Sequence, residues 1–591
     1  MSELTRKIRS RRYNVNPKVS LALEVDTKEG ARLIFQVVDC SLTSLGVVAA
    51  AIANDSKFQL TDYPSTRLGT QAATTTNDSR FQSGDIFASS KLAWNNEELF
   101  LGRLVIHSTR QKEGFLLLGL GLLDTKLPLD GVLSKLLDLN HQIDIDPHGF
   151  ELSPDKFNVG TFSSLPNESV DLFSRCKQYN IYFSEWEKTT RFKYKMIREE
   201  SQGPRIKLRT PRRNGRNDFL VMCSNDYLGL ASDPRVCEVV TKVTKTYGFG
   251  STGSPLSTGT TDIHEELKDL IAKTFRKEKA LLFNSGYTAN VGGIPSLVTE
   301  TDLIVADILS HQSIQDGMRM ASSTNKFFKH NSMSHLERVL TNSRDQHNGC
   351  LLVTEGIFSM DGDCPDLRKF VSLAKTHKAR TYLDEAHSFG VIGPKGLGAA
   401  FKYNAIDDID IIMGTFSKIC GGIGGFLAGP KEVMDWYFWL AKSHAFTVSI
   451  PPSTAAAMLE ALRIVISEPQ LPERLQKNIR HFINGLKELG CPLSDKHEGA
   501  VIPVIVGDPQ KFEIMTKVLY DAGVYTLPIE YPAVNKRGAR FRFTIMATHT
   551  ESDLDYALST IATAMEKAKF TFSEVIQQYA NVTTSSEDHQ E

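Results

Sequence analysis

The feature that most constrains this chain is a single lysine set in a glycine-rich segment. Residues 414–425 read GTFSKICGGIGG, so Lys418 follows two hydroxyl-bearing residues and precedes a run of glycines. A lysine ammonium is a poor nucleophile, and it needs desolvation or a neighbouring cation before it reacts covalently. The pattern is typical of a lysine that forms a Schiff base beside a bound phosphate, although an ordinary loop can also have this composition.

A second polar cluster lies upstream, where an apolar run ends. Residues 382–398 read YLDEAHSFGVIGPKGLG, and we interpret Asp384 as the end of a strand with His387 in the following loop. In open α/β sheets, ligands bind beyond the carboxyl ends of the strands. A carboxylate there can keep a pyridine nitrogen protonated, and His387 can donate to a ring hydroxyl. The alternative is that these residues only cap a helix.

Several more motifs follow one another in a fixed order. They are SNDYLGL from Ser224, NSGYTAN from Asn284, LSHQSIQDG from Leu309, VTEGIFSMDGD from Val353, DEAHSFG from Asp384, TFSK from Thr415 and RFRFT from Arg540. With these motifs, residues 217–567 resemble the α-oxoamine synthase family of pyridoxal-phosphate enzymes. The resemblance implies the type I pyridoxal-phosphate transferase fold, with a large, mostly parallel α/β domain and a smaller C-terminal α+β domain.

The same resemblance implies a role for each residue that matches the family's motifs. Lys418 would bind the cofactor covalently and move the α-proton, and Asp384 would pair with the pyridine nitrogen. His387 would bind the ring hydroxyl, and His311 would stack on the cofactor and polarise the acyl carbonyl. A lone histidine is more often structural, so the assignment of His311 depends on the LSHQSIQDG segment.

The resemblance also implies which residues bind the anionic groups. The cofactor phosphate would be held by Ser285, Gly286, Tyr287, Ser359 and Thr415, and the amino acid's carboxylate by Asn225 and Arg542. Backbone amides at a helix start bind anions, and arginine offers a planar fork of donors. Asn225 with Asp226 could instead form a turn. Arg540 and Arg542 alternate with apolar residues, as in a strand with one polar face, and we expect Arg540 to be a surface charge.

The activity that the resemblance implies is the condensation of an amino acid with an acyl thioester, carried by coenzyme A or a carrier protein. Decarboxylation would give an α-amino ketone. Two alternatives stay open, namely another type I enzyme such as an aminotransferase or lyase, and a non-catalytic regulatory or scaffold protein. The motif around His311 and the SNDYLGL segment favour the first activity. Retention of Lys418, Asp384 and His387 together argues against a scaffold.

The chain departs from the family's pattern at the acyl end of the predicted site. Pro255 stands where members commonly have an arginine. Glu530 and Ala533 stand where the member that makes 8-amino-7-oxononanoate has an arginine and a threonine. Because a negative charge replaces a positive one, we expect a neutral or long fatty acyl group rather than an acidic acyl chain.

The first 155 residues show a different pattern. Alternating segments such as ARLIFQVVDCSLTSLGVV predict short strands, and we interpret residues 1–155 as a small all-β, barrel-like domain. A basic cluster (Arg6, Lys7, Arg9, Arg11, Arg12) and the turn DCSLTSLG resemble the PilZ domain, which binds cyclic di-GMP. Ser44 stands where that motif has its glycine, so a docking or dimerisation module is the alternative.

The remaining boundaries follow from composition and from the resemblance. We predict a helical linker at 156–217, a large catalytic domain at 218–452, a small domain at 453–572 and a disordered polar tail at 573–591. The net charge of -1 implies no global attraction to nucleic acid or membranes. The eight cysteines form no CxxC pair or metal-ligand spacing, which favours a reducing cytoplasm and no bound metal. No apolar run is long enough to span a bilayer, and the family implies a homodimer.

Overall fold

The computed structural model describes the chain in two compact units, Met1–Ser184 and Glu185–Glu591. In the first unit it describes the backbone of nine strands between residues 12 and 124, and positions 173, 176, 179 and 180. In the second it describes residues 194, 196–200, 203–209, 215–494, 497–530, 534 and 538–576.

The first unit is built on one antiparallel sheet. Its strands are β1 (Arg12–Asn14), β2 (Ala22–Asp26), β3 (Arg32–Ser41), β4 (Ser44–Val48), β5 (Ile86–Phe87), β6 (Ser89–Trp94), β7 (Glu97–Phe100), β8 (Arg103–Lys112) and β9 (Phe115–Asp124). They pair in the order β5-β8-β9-β4-β3-β2-β6-β7, and β1 pairs with β3. The side chains of the basic cluster and of the DCSLTSLG turn lie outside the described residues, so cyclic di-GMP binding stays a prediction.

The second unit contains a seven-stranded sheet at its centre. Its strands are β13 (Lys279–Phe283), β14 (Leu303–Asp307), β15 (Thr324–Phe328), β16 (Cys350–Glu355), β17 (Arg380–Asp384), β18 (Ile411–Thr415) and β19 (Gly425–Gly429). The order is β13-β19-β18-β17-β16-β14-β15, and only β19 runs antiparallel to its neighbours. Every residue of β14 and β16 is buried, as expected for a sheet covered on both faces. The predicted large α/β domain with a mostly parallel sheet is confirmed.

Helices surround this sheet and continue into the C-terminal part. They are α1 (Pro234–Tyr247), α2 (Asp262–Thr274), α3 (Gly286–Leu297), α4 (Gln312–Met320), α5 (Met333–Ser343), α6 (Leu367–Thr376), α7 (Ala399–Lys402), α8 (Phe416–Ile419), α9 (Lys431–Leu440), α10 (Lys442–Ala445), α11 (Pro452–Ser467), α12 (Gln470–Glu488), α13 (Pro509–Ala522) and α14 (Glu551–Ala568). Side-chain caps define where several helices start: Ser285 caps α3, and Thr550 caps α14. Among the residues with described positions, no helix is both long and apolar enough to cross a bilayer.

Two smaller sheets connect distant parts of the second unit. One has the order β10 (Arg198–Glu200), β11 (Arg205–Leu208), β12 (Asp218–Val221) and β21 (Val524–Tyr525). The other has the order β20 (Val501–Ile505), β23 (Arg540–Thr544) and β22 (Leu527–Ile529). Leu220 of β12 pairs with Val524 in parallel, so the strand before SNDYLGL is held by the C-terminal part of the chain.

The register of the central sheet brings polar side chains to one edge. Asp307, Glu355, Asp384 and Thr415 are the last residues of β14, β16, β17 and β18. Glu355 lies opposite Asp384 in the ladder, and Asp384 lies opposite Met413. Because these four strands run in the same direction, their carboxyl ends meet at one edge, where ligands of open α/β sheets bind.

Candidate active site

Lys418 lies in the short helix that follows β18, and its side chain points into the second unit. Thr415, which caps this helix, accepts from the Ser417 backbone N–H. Burial lowers the pKa of the Lys418 amine, and the charge of Arg542 adds to this effect, whereas Asp384 and Glu355 act in the opposite direction. The neutral form of the amine is therefore reached more easily than in a solvated lysine. Both covalent attachment and action as a base require that neutral form.

Asp384 is held by an asparagine that the sequence analysis did not single out. Its side chain is buried, and its Oδ2 accepts from Asn290 Nδ2 at 2.9 Å while its Oδ1 accepts from the Ala386 N–H at 2.9 Å. Asn290 in turn accepts from the Tyr382 hydroxyl at 2.8 Å. These bonds fix the orientation of the carboxylate. Asn290 lies in the NSGYTAN motif, on a buried face of α3. Its polar side chain on that face was the sequence signal that could have identified it.

His387 contacts a second residue that was missed, Tyr227 of the SNDYLGL motif. The Nδ1 atom of His387 lies 2.6 Å from the Tyr227 hydroxyl. Burial, followed by the charges of Lys418, Arg542 and His311, lowers the pKa of His387 well below its usual value. Burial raises the pKa of Tyr227 to about 12, so its hydroxyl stays protonated at neutral pH. His387 is therefore a neutral imidazole with one nitrogen engaged by Tyr227.

His311 begins α4 and is linked to Asp384 through hydrogen bonds. Its Nδ1 lies 2.7 Å from Ser313 Oγ, which accepts from Asn290 Nδ2 at 2.9 Å. The backbone N–H of His311 donates to Glu355 Oε1. Burial and the nearby Asp384 carboxylate raise the pKa of Glu355 well above its usual value. The His311 ring is exposed at this edge of the sheet, yet partial desolvation lowers the pKa of its imidazole.

Four of the five residues predicted for phosphate binding lie together, namely Ser285, Gly286 and Tyr287 at the start of α3, and Thr415 beside Gly286. Ser285 caps this helix, and its Oγ accepts from the Thr288 N–H at 3.0 Å. A Cβ atom at Gly286 would lie 2.9 Å from the Cβ of Thr415, so only glycine fits there. The Tyr287 hydroxyl donates to Asp316. Backbone amides of the helix start, together with the Thr415 hydroxyl, therefore form the candidate anion site.

The hydroxyl of Ser417 also lies at this candidate anion site, and it was given no role from the sequence. Ser417 Oγ lies 2.9 Å from Thr415 Oγ1, and Ser417 is exposed. It stands in the TFSK motif directly before the lysine. The position of Ser417 makes it a candidate for the same anion.

The two arginines of β23 both point into the protein. Arg542 is 7% exposed, and its Nε donates to the Ser359 carbonyl at 2.9 Å. This contact places Ser359 on the side of the site where Arg542 lies. Arg540 is also 7% exposed, and its Nη1 donates to Asp361 Oδ1 at 2.7 Å, so the expectation that Arg540 is a surface charge is wrong. Both faces of β23 are covered, which a two-residue alternation could not reveal.

The described part of the SNDYLGL segment lies against the lysine turn. The Tyr227 N–H donates to the Asn225 carbonyl at 2.9 Å and to the Lys418 carbonyl at 3.3 Å. Asn225 is exposed, whereas Asp226 is buried and accepts from the Leu230 N–H at 2.9 Å. The turn predicted as an alternative is thus formed with Asp226 as its buried acceptor, and Asn225 is the exposed residue of the pair.

Comparison with known proteins gives the same class as the fold and the site. The family model described as "Aminotransferase class I and II" matches residues 217–561. The 8-amino-7-oxononanoate synthase of Thermoanaerobacter pseudethanolicus is 38% identical over 341 residues, which cover 58% of this chain and 86% of that protein. The serine palmitoyltransferase of Sphingobacterium spiritivorum is 38% identical over 350 residues, which cover 59% and 87%.

A solved structure extends the comparison to three dimensions. A lysine-to-alanine variant of serine palmitoyltransferase from S. paucimobilis, with bound pyridoxal phosphate and myriocin, has a TM-score of 0.63 at 28% identity. The match covers 68% of this chain and 99% of that chain. The fold and the site define a type I pyridoxal-phosphate transferase. Within that class, the chain belongs to the aminotransferase class I and II family, in its α-oxoamine synthase branch.

The side chains at the sheet edge fit pyridoxal phosphate. Lys418 offers a buried amine of lowered pKa for the aldehyde, and Asp384 offers a buried, oriented carboxylate for the ring nitrogen. The glycine at 286 leaves room beside Thr415 where the helix start presents its amides. A lysine amine, a carboxylate and a candidate anion site at one edge of the sheet correspond to the three functional groups of that cofactor.

Proposed function

We propose that this chain is a pyridoxal-phosphate-dependent acyltransferase that condenses an amino acid with an acyl thioester, with loss of carbon dioxide, to give an α-amino ketone. The observation that carries the proposal is the desolvated Lys418 amine at the sheet edge that also holds Asp384, His387 and His311. Membership of the α-oxoamine synthase branch supports the same reaction.

In this proposal, the chain's own residues bind the cofactor and the amino acid. Lys418 would hold the cofactor covalently, Asp384 would keep a proton on the ring nitrogen, and His387 would donate to the ring hydroxyl. The bound cofactor supplies a conjugated ring that withdraws electrons from the amino acid's α-carbon. Ser285, Gly286, Tyr287, Ser359 and Thr415 are the proposed phosphate contacts. Asn225 and Arg542 are the proposed contacts to the amino acid's carboxylate.

Proton transfer is the main chemical work proposed for the protein. Lys418, once free of the cofactor, takes the α-proton through its neutral Nζ, and such general-base assistance is typically worth about 10²- to 10⁴-fold. The amino acid's α-carbon would bond to the acyl carbonyl carbon as the C–S bond to the thiol breaks, and His311, at the exposed face of the site, would donate to the acyl oxygen. The new ketone is activated for loss of the adjacent carboxylate, and Lys418 returns its proton to the product carbon.

The experiment that tests the proposal combines a visible-spectrum titration with thiol detection. Purified protein loaded with pyridoxal phosphate is titrated with glycine, L-alanine and L-serine, and the amino acid that saturates is then offered neutral acyl-CoA thioesters. We expect a saturable spectral change for one amino acid, followed by stoichiometric release of thiol and carbon dioxide. Transfer of the amino group to a keto acid without thiol release would favour the aminotransferase alternative instead.

We predict that Arg542→Lys weakens amino-acid binding by about tenfold. Lysine keeps the charge but loses the planar fork that binds a carboxylate through two parallel hydrogen bonds. It also loses the Nε–H that now donates to Ser359. The measurement is the half-saturating amino-acid concentration in the spectral titration. Arg480→Lys, which replaces an arginine of α12, is the control, and equal weakening in both variants would contradict the assignment of Arg542.

The acyl substrate that we propose is neutral. Pro255 and Glu530 place no positive charge at the positions where the family carries arginines, and Ala533 lies outside the described residues. A carboxylate-ended acyl chain would therefore meet Glu530 without a compensating cation from these positions. Competition between palmitoyl-CoA and pimeloyl-CoA at equal concentration distinguishes the two classes. We expect thiol release from palmitoyl-CoA to dominate.

We further propose a homodimer and a cytoplasmic location. Large apolar side chains remain exposed near α9 and α10, including Trp439 at 67% and Phe446 at 83%, and a second copy would cover them. The described cysteines are free thiols, which is compatible with a reducing compartment. Cyclic di-GMP remains the proposed ligand of the N-terminal domain, with the basic cluster as its expected contact.

Deletion of residues 1–155 is predicted to leave cofactor binding intact. The candidate site is built wholly from residues of the second compact unit, which begins at Glu185. The truncated chain should therefore take up one equivalent of pyridoxal phosphate per subunit with unchanged visible absorbance. A folded truncation that no longer binds the cofactor would show that the domain boundary is drawn wrongly.

A further inference from the structure

A charged cluster outside the predicted site surrounds His330, at the end of β15. Its Nδ1 lies 3.0 Å from Asp307 Oδ1, and its Nε2 lies 3.0 Å from Asp363 Oδ2. Asp307 is fully buried at the carboxyl end of β14, whereas Asp363 ends the turn that follows β16. The imidazole thus joins the edge of the central sheet to that turn, with both of its nitrogens engaged by carboxylates.

The neighbouring Asn331 makes the same connection. Its backbone N–H donates to Asp307 Oδ2 at 2.8 Å, and its Nδ2 donates to Asp363 Oδ2. The residue has φ of 51°, a left-handed conformation that asparagine tolerates better than most residues. The His330 ring also packs edge-on against Phe358, with 4.5 Å between ring centroids and 88° between ring planes. Two consecutive side chains and one aromatic contact therefore fix the 358–363 turn.

The charge of His330 is consistent with this geometry. Burial opposes the protonated form, but the hydrogen bonds and charges of Asp307 and Asp363 raise the pKa of His330 to about 10. In return, despite burial, His330 lowers the pKa of Asp363 below its usual range. Other charged groups near this turn include Lys329, which precedes His330, the Asp361–Arg540 pair, and Arg542, which donates to the Ser359 carbonyl. The imidazolium therefore persists across the neutral range.

The 358–363 turn is also the part of the chain that holds the arginines of β23. Its Ser359 carbonyl accepts from Arg542 Nε at 2.9 Å, and its Asp361 accepts from Arg540 Nη1 at 2.7 Å. Within the turn, the Gly362 N–H donates to the Phe358 carbonyl at 2.8 Å. Gly362 has φ of 71°, and an added Cβ would lie 2.2 Å from the Val501 carbonyl, so the turn has little freedom to change shape.

We propose that His330 is a positioning residue that locks the 358–363 turn against β14, and that the locked turn sets the direction of Arg542 toward the substrate's carboxylate. The part concerning the carboxylate rests on the proposed function, whereas the locking of the turn does not. His330 itself contacts neither the cofactor nor the amino acid. Its effect on the orientation of the Arg542 guanidinium is transmitted through Asp363 and the Ser359 carbonyl.

The test compares His330→Gln with His335→Gln in the full-length, cofactor-loaded protein. His335 lies on α5 in the same region, and its Nδ1 accepts from the Lys329 backbone N–H, so it controls for local disturbance. Hydrogen exchange of the 358–363 amides reports on the turn alone. We expect faster exchange in His330→Gln and unchanged exchange in His335→Gln, and equal exchange in both variants would overturn the proposal.

Ligand pairs then test the link to the carboxylate. Glycine, L-alanine and L-serine are each compared with methylamine, ethylamine and ethanolamine, which lack the carboxylate, by visible-spectrum titration. In His330→Gln we expect about tenfold weaker half-saturation by the responding amino acid and no change for its amine partner. Equal weakening of both partners, or of neither, would overturn the inference about Arg542.

A second variant keeps the proposal testable if His330→Gln does not fold. Asp363→Asn removes one of the two carboxylates and keeps the side-chain volume, so it should accelerate exchange in the turn in the same way. Unchanged exchange in this variant would contradict the lock. If no amino acid of the panel saturates the parent protein, the proposed function fails while the exchange measurement still decides the role of His330.

Discussion

Lys418→Ala should lose turnover by at least about 10³-fold, because the variant lacks both the covalent attachment and the base. Burial lowers the pKa of the Lys418 amine, so the neutral base forms more readily in the parent chain than from a solvated lysine. The measurement is thiol release from an acyl thioester in the presence of the responding amino acid. Preserved thiol release in the variant would contradict the role assigned to Lys418.

A second readout separates loss of the lysine from loss of the fold. Borohydride reduction of the parent chain should leave the cofactor covalently attached to the peptide that contains Lys418, and the variant should show no such adduct. Lys277→Ala is the matched control, since burial also lowers the pKa of Lys277, which donates to the carbonyls of Ile406 and Ile409. That variant is expected to lose stability and to keep both the adduct and the turnover.

Asp384→Asn should slow the chemistry at the α-carbon by about 10²- to 10³-fold, the range seen when one oriented electrostatic contact is removed from an active site. The amide has nearly the same shape, but it carries no negative charge to hold a proton on the ring nitrogen. In the parent chain, the Asn290 amide donates to Asp384 Oδ2. In the variant, the new side-chain amide can turn its NH2 group toward Asn290, and that hydrogen bond would then be lost.

The measurement for this variant is the exchange of the amino acid's α-proton with deuterated solvent, followed by NMR, because it isolates one step from acyl transfer. Asp410→Asn provides the control. Asp410 accepts from the Thr381 N–H at 2.8 Å, near the opposite end of β17. The control therefore measures the effect of losing a carboxylate that binds a backbone N–H of the same strand. Normal α-proton exchange in Asp384→Asn would rule out the proposed partnership with the ring nitrogen.

Local sequence patterns were sufficient to locate the main elements of the site. The apolar run before Asp384 is strand β17, because a strand buried on both faces must be apolar along most of its length. Gly286 was assigned through the resemblance, and the structure gives the physical reason, because an added Cβ there would lie 2.9 Å from the Thr415 Cβ. The order of the motifs identified the family without any three-dimensional information.

The hydrogen-bond partners of those residues were not readable. Asn290 and Asp384 are far apart in the chain and meet only because α3 packs against the sheet beside β17. Tyr227 meets His387 for a similar reason, since β12 pairs with a strand from the C-terminal part. Alternation along β23 predicted one polar face, but the 358–363 turn covers the arginine face, and Phe512 and Phe482 pack against the phenylalanines of the other face.

The sequence by itself therefore determined the family and predicted the covalent lysine, the carboxylate and the chemistry, because each depends on residue type at positions close together in the chain. Only the tertiary structure decided how those groups are held. The bonds from Asn290, Tyr227 and His330 join segments that are distant in sequence, and burial of the Lys418 amine depends on all of them packing together. Desolvation and long-range hydrogen bonds are properties of the folded chain, so no local pattern records them.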